Sequence, residues 1–180
     1  MPYENLSTKY KEIIALDNRR KVYELVRENP GLHFREIERK SKIPYGTLKY
    51  HLNFLVKKDL LVEKKYENNA RYFSKEFSPD DFPILSLLRQ KSIRKILLFL
   101  ISSKNCAHSD IASFTKLSPS TVSWHLSKLI RKGVIEKTSI KPIIYRLRVD
   151  KDDIIKLLIS YKESFLDSLV DKTIEMWDVK

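Results

Sequence analysis

Thr47-Leu48-Lys49-Tyr50-His51-Leu52-Asn53-Phe54-Leu55 returns 74 residues later as Thr121-Val122-Ser123-Trp124-His125-Leu126-Ser127-Lys128-Leu129. The same offset aligns Arg20-Lys21-Val22 with Arg94-Lys95-Ile96, Ile37 with Ile111, Lys57-Lys58 with Arg131-Lys132, and Leu60-Leu61 with Val134-Ile135. Tyr72 and Tyr145 follow after a one-residue deletion. Chance matches would not keep the order of apolar faces and turns. The chain is an internal duplication, and the repeated unit decides the fold.

Outward from that stretch, each copy reads as three helices and a hairpin. In the first, Asp17 or Asn18 is the expected N-cap of a helix whose Val22, Leu25 and Val26 share a face. Asn29-Pro30-Gly31 ends it, because proline cannot continue a helix and glycine permits the reversal. A short helix over 34–40 turns Ile37 inward, Ile43-Pro44 makes the turn, and a third helix runs to Lys58 with Leu48, Leu52 and Leu55 inside. Leu60–Lys65 and Arg71–Phe73, around Asn68-Asn69, then read as a hairpin. The second copy is expected as helices over 86–103, 108–115 and 118–132, with a hairpin of 134–138 and 143–147. Residues 1–16 read as a lead-in helix, 17–76 as the first domain, 77–83 as a linker and 84–149 as the second domain. Residues 150–180 form one amphipathic helix, with Ile154, Leu158, Tyr161, Phe165 and Leu169 at helical spacing. The fold class is mainly α with small β-hairpin wings, two tandem winged helix-turn-helix domains and a long C-terminal helix.

Charge says what such domains meet. The net charge of +12 is divided as +6 over 17–76, +11 over 84–149 and −3 over 150–180. A polyanion is drawn to the repeats and repelled by the tail. Only three glycines are present, with no Gly-rich phosphate loop, and the lone Cys106 excludes an intramolecular disulfide. No apolar run is long enough for a transmembrane helix and no charged-then-apolar leader opens the chain, so the expected setting is cytoplasmic, without membrane contact.

In a helix-turn-helix the second helix enters the major groove, and its early outward residues meet base edges. With the leucines inside, the first such helix presents Tyr45, Gly46, Thr47, Lys49, Tyr50 and Asn53. The second presents Ser118, Ser120, Thr121, Ser123, Trp124, Ser127 and Lys128. Lysine suits guanine or phosphate, and asparagine can read adenine in bidentate fashion. Lys57 closes the first helix, and Lys64, Lys65 and Arg71 on one hairpin and Lys137, Lys141 and Arg146 on the other suit phosphate contact. His51 and His125 precede core leucines with no ligand cluster nearby, so each is expected half-buried and bonded to a neighbouring helix. His33, His108 and Cys106 form no metal motif, and no nucleophile–base–acid set converges, so no metal, cofactor or catalysis is expected.

Asn29-Pro30-Gly31-x-His33-x-Arg35-Glu36-Ile37, with Gly46-x-x-x-Tyr50-His51-Leu52-x-x-Leu55, is similar to archaeal winged-helix regulators of the broad ArsR/MarR type. Ser118-Pro119-Ser120-Thr121-Val122-Ser123-x-His125-Leu126-x-x-Leu129-x-x-Lys132-Gly133-Val134-Ile135 resembles that superfamily's recognition-helix pattern. The two stretches span most of 17–149, and the arrangement resembles euryarchaeal regulators with two winged helices in one chain. It departs from metal-sensing members in lacking their cysteine-rich helix. The resemblance implies transcription regulation through double-stranded DNA. A homodimer joined through Ile154, Leu158, Tyr161, Phe165 and Leu169 is expected, against packing of that helix on its own domain. Basal transcription factors are a second class of partner, and a protein-interaction module or an effector-sensing regulator are the alternative readings.

Overall fold

The computed structural model describes residues 13–66, 69–103 and 105–165. The chain divides into two units, Met1–Phe82 and Pro83–Lys180, and each repeats one order of elements. In the first unit these are α1 (Asp17–Glu28), β1 (Leu32–His33), α2 (Phe34–Ser41), α3 (Tyr45–Lys57), β2 (Leu61–Tyr66) and β3 (Asn69–Ser74). α1 begins at Asp17 after Leu16, so neither Asp17 nor Asn18 is its cap. It ends as expected: the Asn29 backbone N–H and side-chain amide both donate to the Leu25 carbonyl at 3.0 Å. Gly31 takes φ 80° and its N–H donates to the Tyr72 carbonyl at 2.9 Å, which feeds the chain into β1. The short β1 escaped sequence reading because two residues carry no periodicity. It pairs with β3, so the wing is a three-stranded antiparallel sheet of order β1-β3-β2, with Leu32 opposite Tyr72 and Lys64 opposite Arg71. Val22, Val26, Leu32, Ile37, Leu48, Leu52, Leu55 and Leu61 are fully buried at the centre of this unit.

Residues 77–83, expected as a linker, hold more structure than two prolines and two aspartates indicate. Pro79–Asp81 form a 3-10 turn capped by Ser78, and Phe82 is buried with its ring stacked on Phe73 at 4.2 Å.

After α4 (Phe82–Leu88), which begins on the last residue of the first unit, the second unit contains α5 (Lys91–Ser102), β4 (Cys106–Ala107), α6 (His108–Thr115), α7 (Pro119–Arg131), β5 (Ile135–Lys137) and β6 (Ile144–Leu147). Its sheet order, β4-β6-β5, repeats that of the first unit. The single helix expected over 86–103 is two, broken at Arg89-Gln90. Gln90 is extended, and the buried Arg94 guanidinium takes the Leu88 carbonyl at 2.6 Å, an acceptor that a continuous helix would give to Ser92. Both copies also share a device at the start of their second helix. The Glu36 carboxylate accepts from the His33 N–H at 2.9 Å, and its counterpart Asp110 accepts from the Ala107 N–H at 3.1 Å.

The C-terminal segment corrects the sequence reading. It is not one helix: α8 (Lys151–Ser160) stops at Tyr161 and a single turn, α9 (Lys162–Phe165), follows. Its described apolar residues also pack inward, as the alternative reading had it. Ile154, Leu158 and Phe165 are buried in the core of their own unit with Leu97, Ile111, Leu126 and Leu129, and Tyr161 packs beside them. Two arginines hold the segment there. Arg89 donates to the Ser164 carbonyl at 3.2 Å and to its hydroxyl at 3.1 Å, while Arg94 reaches the Phe165 carbonyl at 3.4 Å. Both guanidinium groups lie over the Phe165 ring, at 5.5 and 5.0 Å. Leu169, the last residue of the stripe, lies outside the described residues.

One backbone feature is duplicated. Lys42 and Lys116 cap α2 and α6 in the left-handed region, at φ 57° and 56°, with their N–H groups donating to the carbonyls of Glu38 and Ala112. A residue with a Cβ carries a cost of roughly 1–2 kcal/mol in that conformation.

Candidate nucleic-acid interface

In each unit the helix-turn-helix is α2–α3 or α6–α7, and burial of the inner leucines fixes which side chains face out. On α3, Leu48, His51, Leu52 and Leu55 are buried, while Tyr45, Gly46, Thr47, Lys49, Tyr50, Asn53 and Lys57 are exposed. Tyr45 collects cations: the Arg35 guanidinium stands 5.7 Å and the Lys49 ammonium 5.9 Å from its ring centre, and Phe34 packs against it at 4.9 Å. Arg35 is itself paired with Glu38 at 2.8 Å, so Lys49 is the charge this cluster offers to an anion. Tyr50 is 58% exposed and leans edge-on against His51 at 5.3 Å.

On α7, Val122, His125, Leu126 and Leu129 are buried. Ser118 is the N-cap: its hydroxyl accepts from the Thr121 N–H at 3.2 Å and lies within 3.0 Å of the Ser120 hydroxyl and 2.8 Å of the Thr121 hydroxyl. Ser118, Ser120, Ser123, Trp124 and Ser127 are exposed and Thr121 is half-buried. Ser123 is not alone, because His108 at the head of α6 places Nε2 2.9 Å from its hydroxyl. Sequence reading missed this partner, since nothing in local spacing joins residues 15 apart on different helices. Trp124 is 56% exposed and stands edge-on to His125 at 4.9 Å, repeating the Tyr50–His51 arrangement.

Two expected cations are turned away from the interface. Lys128 is only 3% exposed; its ammonium donates to the Gln90 side-chain carbonyl at 3.3 Å and lies 5.2 Å from the Trp124 ring centre. Its position beside Leu129 puts it on the inner side of the helix, where the aliphatic stem packs and the ammonium finds a polar partner. Arg71 is half-buried: it donates to the Gly31 carbonyl and lies 3.9 Å from Glu36. It therefore ties the wing to the turn before β1. The remaining wing cations, Lys64, Lys65, Lys137, Lys141 and Arg146, are exposed. Arg146 donates to Asn105 at 3.1 Å, and the Thr138 hydroxyl accepts from the Ile144 N–H at 3.0 Å, which holds the second wing's tip.

The histidines are more deeply placed than expected. His51 and His125 are buried, and Nδ1 of each lacks a hydrogen-bond partner, so they are not bonded to a neighbouring helix through that atom. Burial lowers both pKa values, helped by Arg19 at His51 and by Lys128 at His125, which favours the neutral rings. Burial pushes the Cys106 thiol up. Among the described residues no group of three or more His, Cys, Asp and Glu side chains is arranged to hold a metal, and no helix is long and apolar enough to cross a membrane.

Two helix-turn-helix units, each closed by a three-stranded wing, define a tandem winged helix-turn-helix protein. Residues 16–82 match a family described as an N-terminal HTH domain, and residues 84–136 match the winged helix-turn-helix DNA-binding family. Over 129 residues, 70% of its length, the chain is 34% identical to an uncharacterized HTH-type transcriptional regulator of Methanocaldococcus jannaschii. The matched region is 32% of that protein, so the chain spans about a third of its relative. Each half of the chain is thus similar to a helix-turn-helix domain family, and the whole-protein role stays a matter for proposal.

Proposed function

We propose that this protein is a sequence-specific regulator of transcription that grips double-stranded DNA with two winged-helix heads. The observation that carries the reading is the pair of recognition helices. Each buries a leucine face in its own core and turns a polar face outward: hydroxyls with Tyr45, Tyr50, Lys49 and Asn53 on the first helix, hydroxyls with Trp124 on the second. Lys49 and Asn53 on α3 suit base edges, while Ser120, Ser123 and Ser127 on α7 suit phosphate or base. Lys64, Lys65, Lys137, Lys141 and Arg146 on the wings neutralise the backbone. Two heads on one chain raise affinity through effective concentration, so the reading requires no second copy. Nothing in it requires catalysis, metal or cofactor, and its setting is the cytoplasm, where the DNA is.

The two faces differ in chemistry, so the heads read different sequence: α3 supplies more of the base discrimination, and the more basic second unit more of the backbone grip. The test is fluorescence anisotropy of a labelled duplex across a salt series. Log affinity should fall linearly with log salt, at about −0.9 per neutralised phosphate. Binding that ignores salt, or no binding to any duplex, would overturn the proposal and favour a protein-docking role for the same faces.

A further inference from the structure

Lys42 and Lys116 occupy the same place in the two units, the turn that joins the helices of the helix-turn-helix, two residues before the caps Pro44 and Ser118. Both are exposed, both hold left-handed backbone, and neither ammonium has a hydrogen bond or ion pair among the described residues. Left-handed backbone favours glycine, and this chain does use glycine elsewhere for it, at Gly31 and Gly133.

Gly133 is informative because its counterpart in the first unit, Asp59, is also left-handed, at φ 59°. At that pair the copies have parted. Asp59 carries a side chain that pairs with Lys75 at 2.7 Å, whereas the other copy has glycine. The helices preceding Lys42 and Lys116 have parted as well: between Phe34–Ser41 and His108–Thr115 only Ile37 and Ile111 are identical. The two lysines nevertheless agree. Two exposed cations, each in a conformation that favours glycine and without a partner among the described residues, are placed to meet an anion outside the chain.

We propose that Lys42 and Lys116 bind phosphate, one per head, and seat each recognition helix on the DNA backbone. The inference rests on the DNA-binding reading. The early end of a recognition helix approaches the duplex, which brings the preceding turn beside the sugar-phosphate chain. Lysine at this position supplies charge without sequence discrimination.

The test is the full chain carrying Lys42→Gly and Lys116→Gly, compared with wild type by salt-dependent anisotropy and thermal unfolding. Glycine relieves the backbone, so the unfolding midpoint should stay or rise while affinity falls. The slope of log affinity against log salt should shrink by about 0.9 for each phosphate left without its lysine, about 1.8 in the pair, with base preference unchanged. Lys42→Asn with Lys116→Asn, which tolerates the same backbone, should weaken binding equally, and the two arginine variants should retain the wild-type slope. Wild-type binding with an unchanged slope in both neutral variants overturns this inference alone. Failure of the wild type to bind any duplex overturns both it and the reading beneath it.

Discussion

Replacing Leu158 with alanine distinguishes a core helix from a dimer helix. Leu158 is 2% exposed and packs with Ile154, Leu126 and Leu129 inside the second unit. Truncating a leucine that deeply buried costs about 2–5 kcal/mol, from lost transfer energy plus the cavity left behind. In a unit of this size each kcal/mol moves the midpoint by roughly 4–8 °C, so a mid-range loss lowers the second unit's transition by more than about 10 °C. Calorimetry of the whole chain should show that shift, with the part of the transition due to the first unit unmoved. Ile159→Ala, on the exposed side of the same helix, should stay within about 0.5 kcal/mol of wild type. Light scattering after size exclusion should give the same mass for wild type and Leu158→Ala below their midpoints. An unshifted transition accompanied by a fall in mass would refute the reasoning and restore the stripe as an intermolecular surface.

Three further outcomes follow from the side-chain placements. His51 and His125 have lowered pKa values in the folded chain, so stability is full above about pH 6.5 and drains as pH falls below it, because the unfolded chain takes up protons first; thermal scans of His51→Asn with His125→Asn should lose that slope. Lys64→Glu with Lys65→Glu should weaken binding to every duplex alike, whereas Lys49→Ala or Asn53→Ala should change preference at single base pairs, read by competition with variant duplexes. Arg71→Ala should lower the first unit's stability by about 1.5–3 kcal/mol as its charged hydrogen bond is removed, with the salt slope of DNA binding unchanged.

Much of the fold was legible because duplication supplied an internal alignment, and apolar spacing placed Leu48, Leu52, Leu55, Val122, Leu126 and Leu129 inward where they are found. What was not legible depended on partners distant in the chain. The break at Arg89-Gln90 follows from Arg94 capturing the Leu88 carbonyl, which no periodicity reveals. The stripe Ile154, Leu158 and Phe165 reads equally as an internal or an intermolecular face, and local spacing carries neither its burial beside Leu126 and Leu129 nor its ties to Arg89 and Arg94. Lys128 was misplaced because a lysine near the end of a helix reads as solvated, although its stem lies on the core side and its ammonium reaches Gln90. The outward faces themselves were readable at the level of residue type. The His108–Ser123 hydrogen bond and the left-handed lysines were not, since local pattern carries neither.

The account stands most directly on selection of duplexes from a randomised library by the intact chain, followed by sequencing of the bound pool. It predicts a motif of two unlike blocks, the first scrambled by Lys49→Ala with Asn53→Ala and the second by Ser123→Ala with Ser127→Ala. A bound pool no richer in any sequence than the starting library would contradict it.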